Sequence, residues 1–266
     1  MKFFKAQATG NDFIIVDDKQ WQPDEAVVNR LCDRHFGIGS DGLVHLRSTP
    51  TSQQFEWTFY NPDGKEAEMC GNAARATTWF LFLQKQLSEV VVKTQRGQFV
   101  GKTLRDEFVE IETTMPADPI QRYDNMFQGR FKEGYLTNTG VPHFVIPVAS
   151  IAAVMGRAQE LAPFIFDSAF GSRGSNLTFF AVQSEDTLDA VTLERGVNDF
   201  TLSCGTGVLA AAQVYLHLKN RKSVVQVKTP GGQLAVQMMN SGVKSPGQLT
   251  AKLSGEAKLV FEGSIQ

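Results

Sequence analysis

The sequence has few cysteines, little net charge and no long hydrophobic run. Its 266 residues include three cysteines and no Cys-x-x-Cys pair, so neither a disulfide scaffold nor a typical zinc site is expected. A formal net charge of −2, without a long basic run, argues against nucleic acid or a membrane surface as the main partner. The amino terminus lacks the apolar run of a signal peptide, and no segment reaches the roughly 18 apolar residues of a transmembrane helix. A cytoplasmic protein with reduced thiols is therefore expected.

What the sequence does contain is an internal repeat. Residues 66–76 and 200–212 each place Cys-Gly before a segment rich in small residues. Further along, residues 90–99 match residues 225–234, and the distance from cysteine to matching segment is nearly the same in both halves. Self-similarity with preserved spacing indicates a duplicated unit.

Patterns typical of strands far outnumber those typical of helices. Each half has one principal helical segment, directly after Cys70 or Cys204, and a further helix is expected near 151–162. The predicted fold class is α+β, with two pseudo-symmetric domains. Each domain is expected to be a curved, mostly antiparallel sheet wrapped around a central helix.

Two prolines interrupt the strand pattern at residues 115–119, and we place the domain boundary there. An amino-terminal domain is expected over 1–118 and a carboxy-terminal domain over 119–256. A last strand, at about 257–266, is expected to return to the first domain.

Two other features are interpreted as structural. Cys32 lies on the apolar side of a predicted helix and is assigned to the core. The glycine-rich residues 35–44 resemble a phosphate loop, but they lack a helix-opening Gly-Lys-Ser/Thr and lead into a strand. A tight structural loop is the better interpretation.

The positions of Cys70 and Cys204 suggest acid/base chemistry. A cysteine directly before a helix lies at the positive end of the helix dipole, which favours the thiolate. The unpaired backbone N–H groups at the same place can hold a carboxylate. Small residues would let a ligand approach this backbone in both halves, namely Gly71, Asn72, Gly205 and Thr206.

If both halves act on one amino acid, one thiolate can remove the α-proton while the opposite thiol protonates the other face. The product then has the mirror configuration. Helix dipoles and fixed donors would stabilise the developing charge, so neither a cofactor nor a metal is expected. From the spacing alone, two buried structural cysteines or a redox pair are the alternatives.

The motifs taken together resemble the diaminopimelate epimerase family. These enzymes use two cysteines, without pyridoxal phosphate, to interconvert LL- and meso-diaminopimelate, a precursor of lysine and peptidoglycan. The similarity covers nearly the whole chain, and its specificity comes from the order and spacing of motifs that are weak singly. The motifs are residues 10–13, 34–42, 61–64, 70–72, 142–143, 175–176, 194–196 and 204–207.

The resemblance implies roles for residues around the reacting carbon. Cys70 and Cys204 match the acid/base pair, and the amides after them match the cradle for the nearby carboxylate. The side chains of Asn11 and Asn72 match groups that assist this cradle. A turn role is the alternative for Asn11.

Other matches concern the far end of the substrate. Asn61, Asn176 and Arg195 match residues that hold the distal carboxylate, for which an arginine fork is well suited. Glu194 matches the acid that receives a substrate ammonium group. The alternatives are a turn asparagine for Asn61 and a surface ion pair for Glu194 with Arg195.

Two matches are supporting residues. Thr201 matches a threonine beside the second thiol, and His143 matches a histidine near the first thiol. A satisfied loop histidine is the alternative for His143. The resemblance also implies a homodimer, with a small amino acid as the ligand.

The sequence departs from the family where the substrate side chain would be recognised. Val141 replaces a far-end asparagine, Ala73 replaces a glycine, and residues 197–200 replace a glycine- and glutamate-containing stretch in a loop one residue longer. Diaminopimelate is the leading substrate, and a same-fold racemase of another amino acid, such as histidine, is the rival. A thiol redox or small-molecule binding protein is the alternative from another class. Phenazine-biosynthesis isomerases share the fold but lack the cysteine pair.

Overall fold

The computed structural model describes residues 1–67, 69–95, 97–221, 224–239 and 247–265. Glu68 and Arg96, which belong to the internal repeat, lie outside the described residues, as does Gln266 at the end of the expected last strand. The chain forms two compact units. The first consists of Met1–Thr113 and the residues from Ser254 onward, and the second of Thr114–Leu253.

The first unit is built mainly from strands. Its elements are β1 (Lys2–Ala8), β2 (Asn11–Asp17), α1 (Glu25–Cys32), β3 (Gly42–Ser48), β4 (Gln54–Tyr60), β5 (Glu66–Ala67), α2 (Gly71–Lys85), β6 (Glu89–Thr94), β7 (Gly97–Arg105), β8 (Phe108–Pro116) and β17 (Lys258–Ser264).

Neighbouring strands of the first unit follow the order β17, β1, β2, β3, β4, β6, β7 and β8. The pairs β2/β3 and β4/β6 are parallel, whereas the other pairs in this order are antiparallel. Helix α2 packs against β1, β2 and β7. The fold is therefore a mostly antiparallel sheet on a central helix.

Helix α2 is buried on every side over much of its length. Its residues 72–81 form an unbroken buried run, which is the pattern of a helix surrounded by protein rather than of one lying on a surface. Small residues permit this close packing. A Cβ added at Gly101 of β7 would lie 2.1 Å from Oγ1 of Thr78, so the strand backbone rests directly on the helix.

The second unit repeats this construction. Its elements are β9 (Gln121–Asn125), β10 (Phe131–Asn138), β11 (Pro142–Pro147), β12 (Asn176–Ser184), β13 (Thr187–Leu193), α3 (Gly205–Lys219), β14 (Val224–Thr229), β15 (Gly232–Met239) and β16 (Gln248–Glu256). Within the described ranges, no helix of either unit is long and apolar enough to cross a membrane.

The strand order shows that the units are duplicates. Strands β9 to β15 are neighbours in sequence order, and the pairs β11/β12 and β13/β14 are parallel, as β2/β3 and β4/β6 are in the first unit. Helix α3 has the same length as α2, 15 residues, and both end on a residue in the left-handed conformation, Gln86 and Asn220. The predicted duplication and the α+β fold class are confirmed.

The core of each unit lies between its sheet and its helices. In the second unit it is strongly aromatic, with Phe127 stacked on Phe164 at a centroid distance of 4.5 Å and Phe144 among the buried rings. In the first unit Cys32 is buried among apolar side chains, as predicted. Burial raises the pKa of the Cys32 thiol.

Two expectations for local structure were wrong. The single helix expected near 151–162 is a series of short helical segments, a 3-10 helix at Ile151–Ala153, one α-helical turn at Ala158–Leu161 and a 3-10 helix at Ala162–Phe166. Gly156 has a φ of +81°, a left-handed conformation that ends a helix. The strand pattern was expected to break at residues 115–119, but β8 continues to Pro116. A proline is tolerated there because it lies at the end of the strand.

Candidate active site

In the first unit, Cys70 caps the amino terminus of α2. Its backbone is extended, and its sulfur accepts a hydrogen bond of 3.5 Å from the N–H of Ala73. A hydrogen bond donated to sulfur, together with the positive end of the helix, favours the thiolate. Ala73 is fully buried and is also the residue that replaces a family glycine.

A chain of hydrogen bonds then links α2 to the loops beside it. The guanidinium of Arg75 donates from Nη2 to Oδ1 of Asn72 at 2.9 Å, and Nδ2 of Asn72 donates to Oδ1 of Asn11. Nδ2 of Asn11 in turn donates to the carboxylate of Asp41 at 3.1 Å. Arg75 and Asp41 hold the two ends, so the orientation of both predicted amides is fixed.

An ionic cluster lies next to Asn11. The carboxylate of Asp12 pairs with Nζ of Lys5 at 2.6 Å and with Nη2 of Arg34 at 2.6 Å, and Arg34 also reaches Asp41 at 2.7 Å. Burial opposes ionisation of Asp12, but hydrogen bonds from Arg34 and Lys5 outweigh it and lower its pKa to about 2. This cluster ties the glycine-rich loop to β1 and β2, which agrees with its interpretation as structural.

Asn61 stands apart from these residues. It is exposed at the end of β4, where its carbonyl oxygen accepts the N–H of Gly64 at 3.0 Å in a tight turn. Its predicted contact with the distal end of the substrate stays a prediction.

In the second unit, Cys204 occupies the cap position of α3 that Cys70 occupies in α2. Its sulfur is 3.4 Å from Oγ1 of Thr206. The same hydroxyl oxygen is 3.0 Å from Nε2 of His143, an imidazole with no exposed surface. His143 is thus connected to the second thiol through one hydroxyl, whereas the expected link to the first thiol stays a prediction.

The tautomer of His143 follows from its neighbours. Oδ1 of Asn176 accepts the backbone N–H of Arg195 at 2.8 Å, which leaves the amide nitrogen of Asn176 facing Nε2 of His143 at 3.4 Å. Because an amide nitrogen can only donate, Nε2 is the acceptor and Nδ1 carries the hydrogen. Burial, helped by the charge of Arg195, lowers the pKa of His143 to about 3, so the ring is neutral.

Two threonine hydroxyls lie on the Nδ1 side of this imidazole. Nδ1 of His143 is 2.9 Å from Oγ1 of Thr178, which lies 3.1 Å from Oγ1 of Thr192 on the neighbouring strand. A Cβ added at Gly207 would lie 2.2 Å from Oγ1 of Thr192. The first turn of α3 therefore rests on this pair, which requires glycine at position 207.

The loop before Cys204 holds the remaining predicted residues. Oγ1 of Thr201 donates to Oε1 of Glu194 at 2.5 Å, and Nη1 of Arg195 donates to the carbonyl oxygen of Arg173. The backbone of Glu194 closes the loop by bonding to Asp199 and Asn198. Thr201, Glu194, Arg195, Asn176, His143, Thr206 and Cys204 form one connected set.

Several site residues were not predicted from the sequence. They are Arg75, Thr9, Asp12, Asp41, Thr178 and Thr192. Asp12 and Asp41 fall within the recognised motifs, and that position was an available signal. The parts of the chain that the structure describes contain no cluster of three or more His, Cys, Asp or Glu side chains suited to a metal.

The fold and the two helix caps define a class of protein. Two like α+β units, each opening its buried helix at a cysteine followed by small residues, are the construction expected of cofactor-independent epimerases and racemases. The chain belongs to the diaminopimelate epimerase family, whose model matches residues 3–117 and 135–260. The resemblance found in the sequence is confirmed.

Individual relatives agree over their full length. A diaminopimelate epimerase from Aquifex aeolicus is 33% identical over 283 residues, covering 100% of this chain and 98% of the relative. One from Flavobacterium psychrophilum is 32% identical over 272 residues, covering 100% of both. Among solved structures, a phenazine biosynthesis protein of the PhzF family from Enterococcus faecalis has a TM-score of 0.75 at 14% identity, covering 100% of this chain and 98% of that one. At this identity the structural similarity concerns the fold alone.

Proposed function

We propose that this protein is an isomerase that inverts the α-carbon of an amino acid by two-thiol acid/base catalysis, with LL-diaminopimelate as substrate and meso-diaminopimelate as product. The observation that carries the proposal is the same in both units. Cys70 and Cys204 each cap a buried helix, in a chain that matches its family along nearly its whole length. The reaction would supply precursors of lysine and peptidoglycan.

The two thiols are assigned to the two faces of one α-carbon. One sulfur, as thiolate, takes the α-proton, and the other, as thiol, donates a proton to the opposite face. The roles reverse for the other stereoisomer. The helix caps support this assignment because each presents backbone N–H groups and a dipole that stabilise negative charge.

The carboxylate at the reacting carbon is assigned to both helix starts. The backbone of Gly71, Asn72, Gly205 and Thr206 would bind it, because small residues let a ligand approach the N–H groups closely. The amide of Asn11 assists, since its hydrogen bond to Asp41 fixes which way its nitrogen points. Together these groups would hold the enolate-like charge that develops when the α-proton leaves.

The surroundings of Cys204 offer its thiol an oriented hydroxyl oxygen. Nε2 of His143 is an acceptor, so the hydroxyl of Thr206 donates to it and turns a lone pair towards the sulfur 3.4 Å away. The S–H of Cys204 can then donate to Thr206. Because His143 is neutral, it acts by orienting this hydroxyl rather than by charge.

The distal end of the substrate is assigned to the loop before Cys204 and to Asn61. Arg195 would pair with the distal carboxylate, and Glu194, oriented by Thr201, would accept the distal ammonium group. Asn176 contributes by holding the backbone N–H of Arg195 at 2.8 Å. Asn61 is included because it matches a family residue that holds the distal carboxylate.

Val141 is the observation that favours a second substrate. Where the family has an asparagine, this chain has an apolar group two residues before His143, and the carbonyl oxygen of Val141 accepts the N–H of Thr139 at 3.2 Å. Losing one hydrogen-bond partner costs roughly 1–3 kcal/mol for a desolvated polar group. A same-fold racemase of another amino acid, such as histidine, is therefore the second candidate.

Both catalytic thiols must stay reduced, which favours the cytoplasm as the compartment. A homodimer, which the family resemblance implies, stays a prediction. The thiol redox protein is the alternative from another class. It would show reversible oxidation without any exchange of α-protons.

A substrate panel in D₂O tests the proposal. Purified, reduced protein is incubated with LL-diaminopimelate, L-histidine and other L-amino acids, and α-deuterium is read by mass spectrometry and chirality by chiral chromatography. We expect exchange with inversion on diaminopimelate. Exchange on another amino acid would keep the two thiols as catalysts and reassign the substrate. No exchange on any compound would reject the isomerase and favour the redox protein.

A further inference from the structure

Arg75 is a buried cation with an incomplete set of partners. Its side chain, in α2, has no exposed surface and is the largest of the fully buried side chains. Nη2 donates to Oγ1 of Thr9 at 2.8 Å and to Oδ1 of Asn72 at 2.9 Å. Among the residues that the structure describes, Nε and Nη1 have no hydrogen-bond partner. Buried polar groups are rarely left in this state, so each exception calls for an explanation.

The charge of Arg75 has no balancing carboxylate in the described part of the first unit. Within the described residues, no acidic side chain forms an ion pair with it. Burial lowers the pKa of the guanidinium to about 10, and the attraction that opposes this comes from Cys70. Arg75 thus stays protonated at neutral pH, and the Cys70 sulfur is a source of compensating negative charge for it.

The contacts of the same guanidinium with Thr9 and Asn72 fix the orientation of a neighbouring amide. Its planar N–H groups bind both oxygens from one nitrogen, which fixes the Asn72 amide with its oxygen towards Arg75. The nitrogen of Asn72 must then face Asn11, whose own nitrogen faces Asp41. The orientation of both amides begins at Arg75.

We infer that Arg75 is a positioning residue that balances the Cys70 thiolate and orients the Asn72–Asn11 amide pair. The inference rests on the proposed function and deepens it, since it names a residue that acts on the Cys70 thiol and on the amides beside it. Arg75 acts through these residues and is not assigned a contact with the substrate. Neither packing alone nor a surface ion pair explains the unpaired Nε and Nη1 of a fully buried cation.

Thiol alkylation tests the inference without any substrate. Protein is treated briefly with iodoacetamide between pH 5 and 10, and each cysteine is followed separately by peptide mass spectrometry. The thiolate is the reactive form, so the alkylation rate against pH reports ionisation of each sulfur. Cys32 is buried and serves as an internal probe, because it reacts only when the protein unfolds. Cys204, in the other unit, is the matched control.

Two variants separate charge from hydrogen bonding. Arg75→Gln removes the charge and keeps an amide donor, so we expect the alkylation rate of Cys70 at pH 6 to fall about tenfold or more, as for a shift of about one pH unit. Arg75→Lys keeps the charge as a point donor that cannot bind both oxygens in the same way. It should retain most of the Cys70 reactivity while losing activity on the substrate. Cys204 should behave as in the wild type in both variants.

The outcomes decide the inference in every case. An unchanged pH profile for Cys70 in folded Arg75→Gln would overturn it. If Cys32 becomes reactive in Arg75→Gln, the variant is unfolded. The inference is then tested on the pH profile of Cys70 alkylation in the wild-type protein. Cys70 must then be alkylated with a pH midpoint below the value of about 8.5 for an ordinary thiol, and a midpoint at or above that value overturns the inference. A failure here leaves the α-proton exchange experiment unaffected, so the two proposals fail separately.

Discussion

The hydroxyl of Thr206 donates a hydrogen bond to Nε2 of His143 across 3.0 Å, and both groups belong to the second unit. The direction of this bond is set by Asn176, whose amide nitrogen faces the same ring nitrogen. Its consequence is that the oxygen of Thr206 faces Cys204 as an acceptor. A neutral, buried histidine can thereby influence which form of the thiol is populated.

Replacing Thr206 tests this link. Thr206→Val keeps the shape and removes the hydroxyl, so we expect kcat to fall by about 10- to 100-fold, less than the roughly 100- to 10,000-fold contributed by a group that transfers the proton itself. Thr206→Ser keeps the hydroxyl and should stay within about threefold of the wild type in kcat. Steady-state kinetics measure both. Equal activity of the valine variant and the wild type would contradict the link.

The depressed pKa of His143 predicts a pH dependence of stability. The folded state holds His143 neutral down to about pH 3, whereas in the unfolded chain it binds a proton near pH 6.5. The unfolded state therefore binds more protons between these values, so the free energy of unfolding should fall as pH drops below about 6.5. Urea unfolding of the wild type and of His143→Gln at pH 7.5 and 4.5 measures this. The variant should lose less stability on acidification, and an identical loss would contradict the prediction.

Removing the carboxylate of Asp12 should destabilise the first unit. Asp12→Asn leaves the ammonium of Lys5, a residue only 7% exposed, without its charged partner, and breaking a buried ion pair costs about 3–5 kcal/mol. The matched control is Lys2→Ala, which removes a pair with Glu262 whose side chains are 55% and 54% exposed. An exposed pair contributes about 0–1 kcal/mol. Urea unfolding that shows similar losses for both variants would argue against a stabilising role for the Asp12 cluster.

Alanine substitutions at two glycines distinguish a loss of packing from a loss of catalysis. A Cβ at Gly101 would approach Thr78 to 2.1 Å and one at Gly207 would approach Thr192 to 2.2 Å, so both Gly→Ala variants should lose about 1–3 kcal/mol of stability by overpacking. Only Thr192 belongs to the hydrogen-bond chain that supports His143. Activity per folded molecule should therefore fall in Gly207→Ala and remain near the wild-type level in Gly101→Ala. Equal activity in the two variants would exclude a catalytic effect of the threonine pair.

Much of the fold could be predicted from sequence patterns within single segments of the chain. Cys-Gly followed by small residues predicted both central helices, and alternating apolar residues predicted most strands. The helix expected near 151–162 failed because its apolar spacing is helical while Gly156 adopts a left-handed conformation that spacing does not reveal.

The supporting part of the site could not be predicted because it depends on contacts between distant segments. Thr178 and Thr192 have the sequence signature of ordinary strand residues, and only the pairing of β12 with β13 places them opposite each other beneath His143. Arg75 has the signature of a charged residue on an exposed helix face. Its complete burial follows from the sheet that surrounds α2, which periodicity along the helix does not indicate.

Removing either thiol should abolish inversion. Cys70→Ala and Cys204→Ala each leave one face of the α-carbon without a proton donor or acceptor, so we expect epimerisation to drop below detection in both. Chiral chromatography of the products measures it, and far-ultraviolet circular dichroism checks that each variant is folded. Full activity in either variant would contradict the assignment of that cysteine.

The central claim is that two different thiols serve the two faces of one α-carbon. It is tested most directly by incubating the reduced wild-type protein with LL-diaminopimelate in D₂O and sampling before a tenth of the substrate has reacted. If separate thiols act, the product carries deuterium at the inverted carbon while the recovered substrate carries none, because the incoming proton and the departing proton never share a sulfur. Deuterium appearing in the recovered substrate as fast as in the product would show a single base and contradict the claim.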